Sequence, residues 1–261
     1  MKVAIITVAG ISSRFNKNIP NKDKVLKCIF HEENPKFSLL YQMIKKLGKY
    51  DKIIIVGGYK YPKLENYIEE NISNDMKNNI SLILNNHYED LSSGYSLYLG
   101  IDEALKDSKN ISEILFIEGD LDIDDESFLD IINADANVLT FNHEAIYSNR
   151  SVVLYQNEND DYKYLFNSDH GLLKILDPFK AIFNSGQVWK FKDMELLKLA
   201  NDNFKENLIE GTNLGIIQKY FDLVDNDKIE IIGLNHWVNC NTRKDYKYIK
   251  DYWSEKYEIN K

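Results

Sequence analysis

Three cations stand close behind the first apolar run of this chain. Val3-Ala4-Ile5-Ile6-Thr7-Val8 empties into Ala9-Gly10-Ile11-Ser12-Ser13, with Arg14 at the edge of that turn and Lys24 and Lys27 shortly downstream. A buried strand ending in small residues leaves backbone N–H groups pointing past its end, and fixed cations beside free amides replace the water around phosphate oxygens. The pattern therefore predicts a polyphosphate site. A second apolar run, Ile114-Leu115-Phe116-Ile117, ends in Glu118-Gly119-Asp120-Leu121-Asp122. Ligands of open parallel sheets collect beyond the carboxyl ends of the strands, so Asp120 should face the same crevice as the N-terminal turn. There it could tie a hard cation such as Mg²⁺ to a phosphate. Asp124, Asp125 and Glu126 read as a solvated turn and helix start, and the spacing lacks the glycine and glutamate of a calcium loop.

To bring these residues together the chain needs parallel strands joined by crossover helices, and the hydrophobic periodicity supplies them. Strands are predicted over 3–8, 52–56, 80–84, 114–118 and 137–141, with helices over 38–50, 61–71, 95–106 and 126–133 between them. From about Arg150 the pattern changes to strand-like pieces at 151–155, 162–166, 172–175 and 188–191, read as an antiparallel elaboration. Helices near 193–203 and 211–221, a strand at 228–233 and a last helix from Thr242 complete the chain. The fold class is α/β, a mixed and mostly parallel sheet flanked by helices. With no Pro/Gly/Ser-rich linker, the 261 residues are read as one domain, 1–150 forming a nucleotide-binding half and 151–261 an acceptor-binding half.

Composition narrows the function classes. A net charge of −9, with lysines dispersed among acids, argues against a nucleic-acid surface and for small-molecule substrates. Cys28 and Cys240 are too few for a disulfide framework and have no metal-ligand spacing, so both are read as apolar residues. His31, His87, His143, His170 and His236 are scattered, which speaks against a metallohydrolase or a histidine-based triad. No apolar stretch approaches the ~18 residues of a membrane span, and the N-terminal run is too short for a signal peptide, so a cytoplasmic protein without membrane partners is expected. The oligomeric state is left open, a homo-oligomer included.

The residues around these sites resemble the nucleotidyltransferases that join a nucleoside triphosphate to a sugar phosphate or a phosphorylated amino alcohol. The likeness lies in Val8-Ala9-Gly10-Ile11-Ser12-Ser13-Arg14, Lys24-Val25-Leu26 and Glu118-Gly119-Asp120, and in two later blocks, Asn184-Ser185-Gly186-Gln187-Val188 and Val238-Asn239-Cys240-Asn241-Thr242-Arg243-Lys244-Asp245. Asn86-His87-Tyr88 and Gly94-Tyr95-Ser96-Leu97 resemble the phosphocholine and aminoethylphosphonate cytidylyltransferase branch, which serves cell-surface polysaccharide biosynthesis. The resemblance implies a glycosyltransferase-A-like, Rossmann-like fold, CTP as donor, Mg²⁺ as cofactor and pyrophosphate as product. By position it implies that Val8, Ala9 and Gly10 contact base and ribose, Ser12 and Ser13 the phosphates, and Arg14 the β- and γ-phosphates. Lys24 would serve the α-phosphate or the incoming phosphate, and Asp120 with Asn241 the metal, while Ser92, Gly94 and Ser96 would lie near the base.

Three positions depart from the family pattern. Ser12 stands where a second glycine is usual, Asp23 where a proline precedes the lysine, and Asn241 where the amino-alcohol branch has an aspartate. Asp23 puts a negative charge beside Lys24, which would leave Lys27 as the alternative working residue. An amide oxygen at Asn241 remains a competent ligand for a hard metal. For the acceptor, Asp122 could pair an ammonium group, and Tyr95 and Trp189, with Tyr59 and Trp237, could offer aromatic faces, against ordinary packing as the plainer reading. Asn184 completes the acceptor set. Phosphocholine, aminoethylphosphonate, a phosphorylated amino acid and a sugar 1-phosphate all fit. Two rival functions are a glycosyltransferase using Asp120-Leu121-Asp122 to hold a nucleotide sugar through a metal, and a non-catalytic nucleotide-binding relative.

Overall fold

In the computed structural model of the protein, which describes residues 1–106, 110–166 and 172–257, the β-branched runs of the first half are parallel strands. β1 (Lys2–Thr7), β2 (Lys52–Gly57), β3 (Ile80–Leu84) and β4 (Glu113–Glu118) lie in the order β3-β2-β1-β4. α1 (Leu39–Lys46), α2 (Tyr61–Asn71), the short α3 (Asn74–Lys77) and α4 (Ser93–Leu105) form the crossovers. Side chains alternate between the two sheet faces, and both faces are apolar, which is why these strands read as continuous hydrophobic runs. Ala4, Ile6, Ile55 and Ile117 pack on one face with Leu40, Ile44 and Leu64, while Val3, Ile5, Val56 and Phe116 pack on the other with Leu97, Ile101 and Phe204.

The second half completes the same sheet. After β5 (Leu121–Ile123), α5 (Asp125–Asn133) and β6 (Asn137–Asn142) come β7 (Val153–Asn157), β8 (Tyr162–Leu165) and the long β9 (Phe179–Phe191). β9 runs antiparallel between β4 and β6, pairing Phe116 with Trp189 on one side and Leu139 with Trp189 on the other. Then follow α6 (Met194–Asn207), α7 (Leu214–Phe221), β10 (Ile229–Leu234), β11 (Trp237–Asn239) and α8 (Arg243–Tyr257). β10 joins β6 in parallel, and the order of the main path becomes β10-β6-β9-β4-β1-β2-β3, a mixed, mostly parallel Rossmann-like sheet with helices on both faces.

The expected elements differ from these at instructive places. The helix expected over 38–50 starts from Ser38, whose hydroxyl accepts the Tyr41 amide at 3.2 Å, and stops at Lys46, just before Gly48. Residues 172–175 form no strand: Leu172 and Leu176 are exposed, so the alternation there has no partner face to bury. The strand expected at 188–191 is the end of a 13-residue strand. β5 and β11, which pair antiparallel with Asn239 opposite Leu121, were too short to leave a periodic signal. Of the histidines, His170 lies outside the described residues.

Candidate active site

The strand ends that carry the cations and the carboxylate meet at one level. Thr7 is opposite Val56 in β2 and Glu118 in β4, so the turn after β1 and the turn after β4 open on the same side. Gly119 makes that approach close: a Cβ there would fall 2.3 Å from the Val8 side chain and 2.8 Å from the Thr7 carbonyl oxygen. The resulting cavity of about 400 Å³ is lined by Val8, Ala9, Gly10, Ser12 and Arg14 from the first turn. Ser92 and Ser96 come from the start of α4, and Glu118 and Asp120 from the end of β4. The C-terminal part adds Gln187, Trp189, Asn213, Asn239 and Asn241.

The first turn is held by one buried amide. Asn16 donates from Nδ2 to the carbonyls of Ser12 at 3.0 Å and Val25 at 2.8 Å, and its Oδ1 accepts the Val25 amide at 2.9 Å. Ser12 sits in the left-handed region with φ 54°, the backbone that explains why glycine is usual there, and its hydroxyl accepts the Lys27 amide at 3.2 Å. These bonds fold residues 12–27 back on themselves. Lys27 then lines the cavity and reaches Asp120, Nζ to Oδ2 2.8 Å. Lys24 does not line the cavity, and its carbonyl accepts a hydrogen bond from Lys60 Nζ. The lysine that lines the cavity is therefore Lys27, the alternative to Lys24.

On the opposite wall, β11 and the start of α8 carry two asparagines. The Cys240 amide donates to the Asp120 carbonyl at 2.8 Å, which fixes Asn239 and Asn241 beside the β4 turn. Asp245 caps α8 by accepting the amides of Asn241 at 3.0 Å and Thr242 at 2.7 Å. The Arg243 guanidinium lies over the rings of Phe15 at 4.3 Å and Phe30 at 3.7 Å, tying this helix to the loop beside Arg14. Oδ1 of Asp120, Asn239 and Asn241 are all buried with no hydrogen-bond partner. Three buried oxygens without donors are costly unless a cation or donor arrives. One carboxylate with amide oxygens is a donor set for a hard, oxygen-seeking ion that keeps phosphate ligands, so these residues fit Mg²⁺. Among the described residues no group of three or more His, Cys, Asp or Glu forms a self-sufficient metal cluster.

Several expected residues lie elsewhere. Asp122 is buried and bound on both oxygens, by Trp253 Nε1 at 2.8 Å and His236 Nε2 at 2.8 Å, so it faces the α8 side and not an acceptor. Ser13 and Gly94 do not line the cavity; a Cβ on Gly94 would meet the Phe204 ring at 2.3 Å, so that glycine serves α4–α6 packing. Tyr95 stacks on Tyr98 with centroids 5.7 Å apart, and Asn184 pairs with Val153 and Asn142 within the sheet; neither lines the cavity. Tyr59 and Trp237 are also outside it. Trp189 does line it, yet it is fully buried, stacked on Phe116 at 5.2 Å, with Nε1 donating to Tyr164 Oη at 2.7 Å. Glu118, Gln187 and Asn239 are cavity residues that stand in the blocks carrying the resemblance without a role assigned to them there, while Asn213 and Arg150 belong to no motif. Burial, and then the Asp120 carboxylate beside it, push Glu118 up to about 7. Burial likewise pushes the Cys28 and Cys240 thiols up to about 12, which leaves both as inert core residues.

Asp124 is not solvated. It caps α5 by accepting the Ser127 amide at 2.9 Å and also accepts the His236 amide at 2.9 Å, fixing the turn that leads into β11. Burial alone would raise its carboxyl, but the hydrogen bonds from Ser127 and His236 outweigh it and hold the group below the usual range. A depressed carboxyl contributes stability that is present above its unfolded value and lost as pH falls through the folded one. Asp124→Asn should therefore flatten the loss of stability below about pH 4. Asp124→Ala should cost about 2 kcal/mol at neutral pH, through a lost cap and a stranded His236 amide. Urea melts of the three proteins at pH 7 and pH 3.5 measure both; equal slopes in wild type and Asp124→Asn would refute the linkage.

Solved structures that share this fold include several nucleotidyltransferases. The CTP:phosphocholine cytidylyltransferase of Streptococcus pneumoniae is 16% identical with a TM-score of 0.61, covering 96% of this chain and 98% of its own. The inositol-1-phosphate CTP transferase of T. maritima is 14% identical with a TM-score of 0.65, covering 98% and 97%. HddC of Yersinia pseudotuberculosis, solved with GMP-PN, is 16% identical with a TM-score of 0.60, covering 97% and 100%. At such identities the likeness establishes the fold. None of the curated proteins compared matches this chain. Residues 23–253 match the profile of the family described as Domain of unknown function (DUF6564), and the chain belongs to that family.

Proposed function

We propose that this protein transfers a nucleotidyl group from a nucleoside triphosphate, CTP by the branch resemblance, to a small phosphorylated acceptor in the cytoplasm. The observation that carries the reading is the convergence of Arg14, the Lys27–Asp120 pair and three unpartnered oxygens of Asp120, Asn239 and Asn241 on one cavity beyond the strand ends. An oxygen of the acceptor's phosphate or phosphonate forms a bond to the α-phosphorus, and the bond from that phosphorus to the bridging oxygen breaks. Pyrophosphate leaves with the electron pair. The acceptor oxygen is already anionic at neutral pH, so no protein base is required. What the chain must supply is alignment and positive charge against two anions that repel each other.

Arg14 and Lys27 supply that charge, and the backbone of residues 8–12 provides the small-residue turn on which a triphosphate can lie. Asp120 and Asn241, with Asn239 beside them, would hold Mg²⁺, which when bound neutralises phosphate oxygens and favours the leaving pyrophosphate. The glycosyltransferase reading loses its second carboxylate, because Asp122 is committed to Trp253 and His236. Incubation with Mg²⁺, each of the four NTPs and a panel of phosphorylated acceptors, following pyrophosphate, tests the proposal. Acceptor-dependent pyrophosphate with one NTP is the expected result. A protein that binds a nucleotide sugar and releases no pyrophosphate with any NTP would overturn it.

A further inference from the structure

The anionic residue best suited to hold Mg²⁺ already holds a cation. Lys27 Nζ lies 2.8 Å from Asp120 Oδ2, and among the described residues Asp120 is the only carboxylate within ion-pairing distance of that lysine. Their side chains are only 16% and 23% exposed, so the attraction is screened less than in a surface pair. The other oxygens of the set, on Asn239 and Asn241, bring no charge. One ammonium therefore cancels the one carboxylate.

A donor set without net charge has little hold on Mg²⁺, which gives up its water reluctantly and leans on carboxylates and substrate phosphates together. The lysine also repels a second cation approaching the same carboxylate, and partial burial strengthens that repulsion. The backbone around Lys27 is fixed, because Leu26 and Cys28 on either side are buried and Ser12 Oγ accepts the Lys27 amide at 3.2 Å. The side chain is not. A flexible four-carbon stem carries a compact ammonium with three donors, which can leave Asp120 for phosphate oxygens in the same cavity without moving the chain.

We infer that Lys27 guards the metal site: in the nucleotide-free protein its ammonium occupies Asp120 and keeps free Mg²⁺ off, and a triphosphate opens the site by drawing the ammonium onto its own oxygens. That a triphosphate is the visitor rests on the nucleotidyl-transfer reading. The lysine then serves twice, as the counter-ion of Asp120 before the nucleotide arrives and as a phosphate ligand afterwards. A bare carboxylate would repel the incoming triphosphate and collect divalent cations in its absence. Paired with Lys27, it does neither.

The test titrates Mn²⁺, whose free ion is counted by electron paramagnetic resonance, into the full chain without nucleotide. Lys27→Gln and Lys27→Met, which remove the charge and keep most of the stem, should each bind Mn²⁺ at least ~10-fold more tightly than wild type. Adding Asp120→Asn to Lys27→Gln should remove that gain, which assigns it to Asp120 and not to the acidic surface. A second arm follows the Lys27 ammonium by nuclear magnetic resonance in wild type grown on isotope-labelled lysine, the signal being assigned by its absence from the variants. Millimolar Mg²⁺ alone should leave it in place, and a non-hydrolysable NTP analogue without metal should shift it. The inference is overturned if neither Lys27 variant binds Mn²⁺ more tightly than wild type or if the gain survives Asp120→Asn. It is equally overturned if Mg²⁺ alone displaces the ammonium, or if a bound analogue leaves it where it was. Failure of every NTP analogue to bind would instead bring down the nucleotidyl-transfer reading, while the Mn²⁺ titrations still decide whether Lys27 keeps metal off Asp120.

Discussion

Lys27→Ala should lower pyrophosphate release by at least ~10²-fold, whereas Lys24→Ala should stay within a factor of about three of wild type. Both residues follow the first turn, and only one of them enters the cavity. Ser12 holds the Lys27 amide and Asn16 holds Val25, so the chain turns Lys27 toward Asp120. Because Lys27 is partly exposed and in a short turn, its removal disturbs little core, and the melting temperature should move by a few degrees at most. Lys27→Arg is the informative companion: a broad planar fork in place of a compact ammonium keeps the charge but not its position, and should recover only part of the loss. If Lys24→Ala is the inactive protein and Lys27→Ala is near wild type, the placement of the phosphate-binding cation is wrong.

The second large effect concerns the metal. Asp120→Ala should reduce the rate by at least ~10³-fold, since it removes the one anionic oxygen among Asp120, Asn239 and Asn241 and also frees Lys27 from its partner. Asn241→Asp should move the other way and lower the Mg²⁺ concentration needed for half-maximal rate, because it adds a charge to the site without changing its shape. Titrating Mg²⁺ against initial rate, and Mg²⁺-dependent nucleotide binding by calorimetry, separates the two. An Asp120→Ala protein with an unchanged Mg²⁺ dependence of nucleotide binding removes that residue from the metal site. An Asn241→Ala protein with unchanged dependence does the same for Asn241.

The sequence by itself determined the sheet and the crevice. Strands such as 114–118 and helices such as 61–71 were legible to within a residue because a strand buried on both faces is a continuous apolar run, and an amphipathic crossover helix repeats with its own period. Arg14 and Asp120 were legible for a related reason: a charged residue directly after such a run must sit at a strand end, where ligands collect. Only the tertiary structure decided between Lys24 and Lys27, since the choice depends on hydrogen bonds from Ser12 and Asn16 that span up to fifteen residues and leave no periodic trace. The same holds for Asp122. Its neighbour two residues earlier faces the cavity while Asp122 meets Trp253 from the far end of the chain, a pairing set by how α8 docks and by nothing local. Arg150 and Asn213 were equally invisible, because the cavity draws them from a loop and a helix start whose positions follow from β9 running antiparallel between β4 and β6. Local composition fixes which segments fold as strands and helices; which side chains share a cavity is decided by long-range packing, which here leaves Asp120 in the cavity and buries Asp122, two residues on, against Trp253.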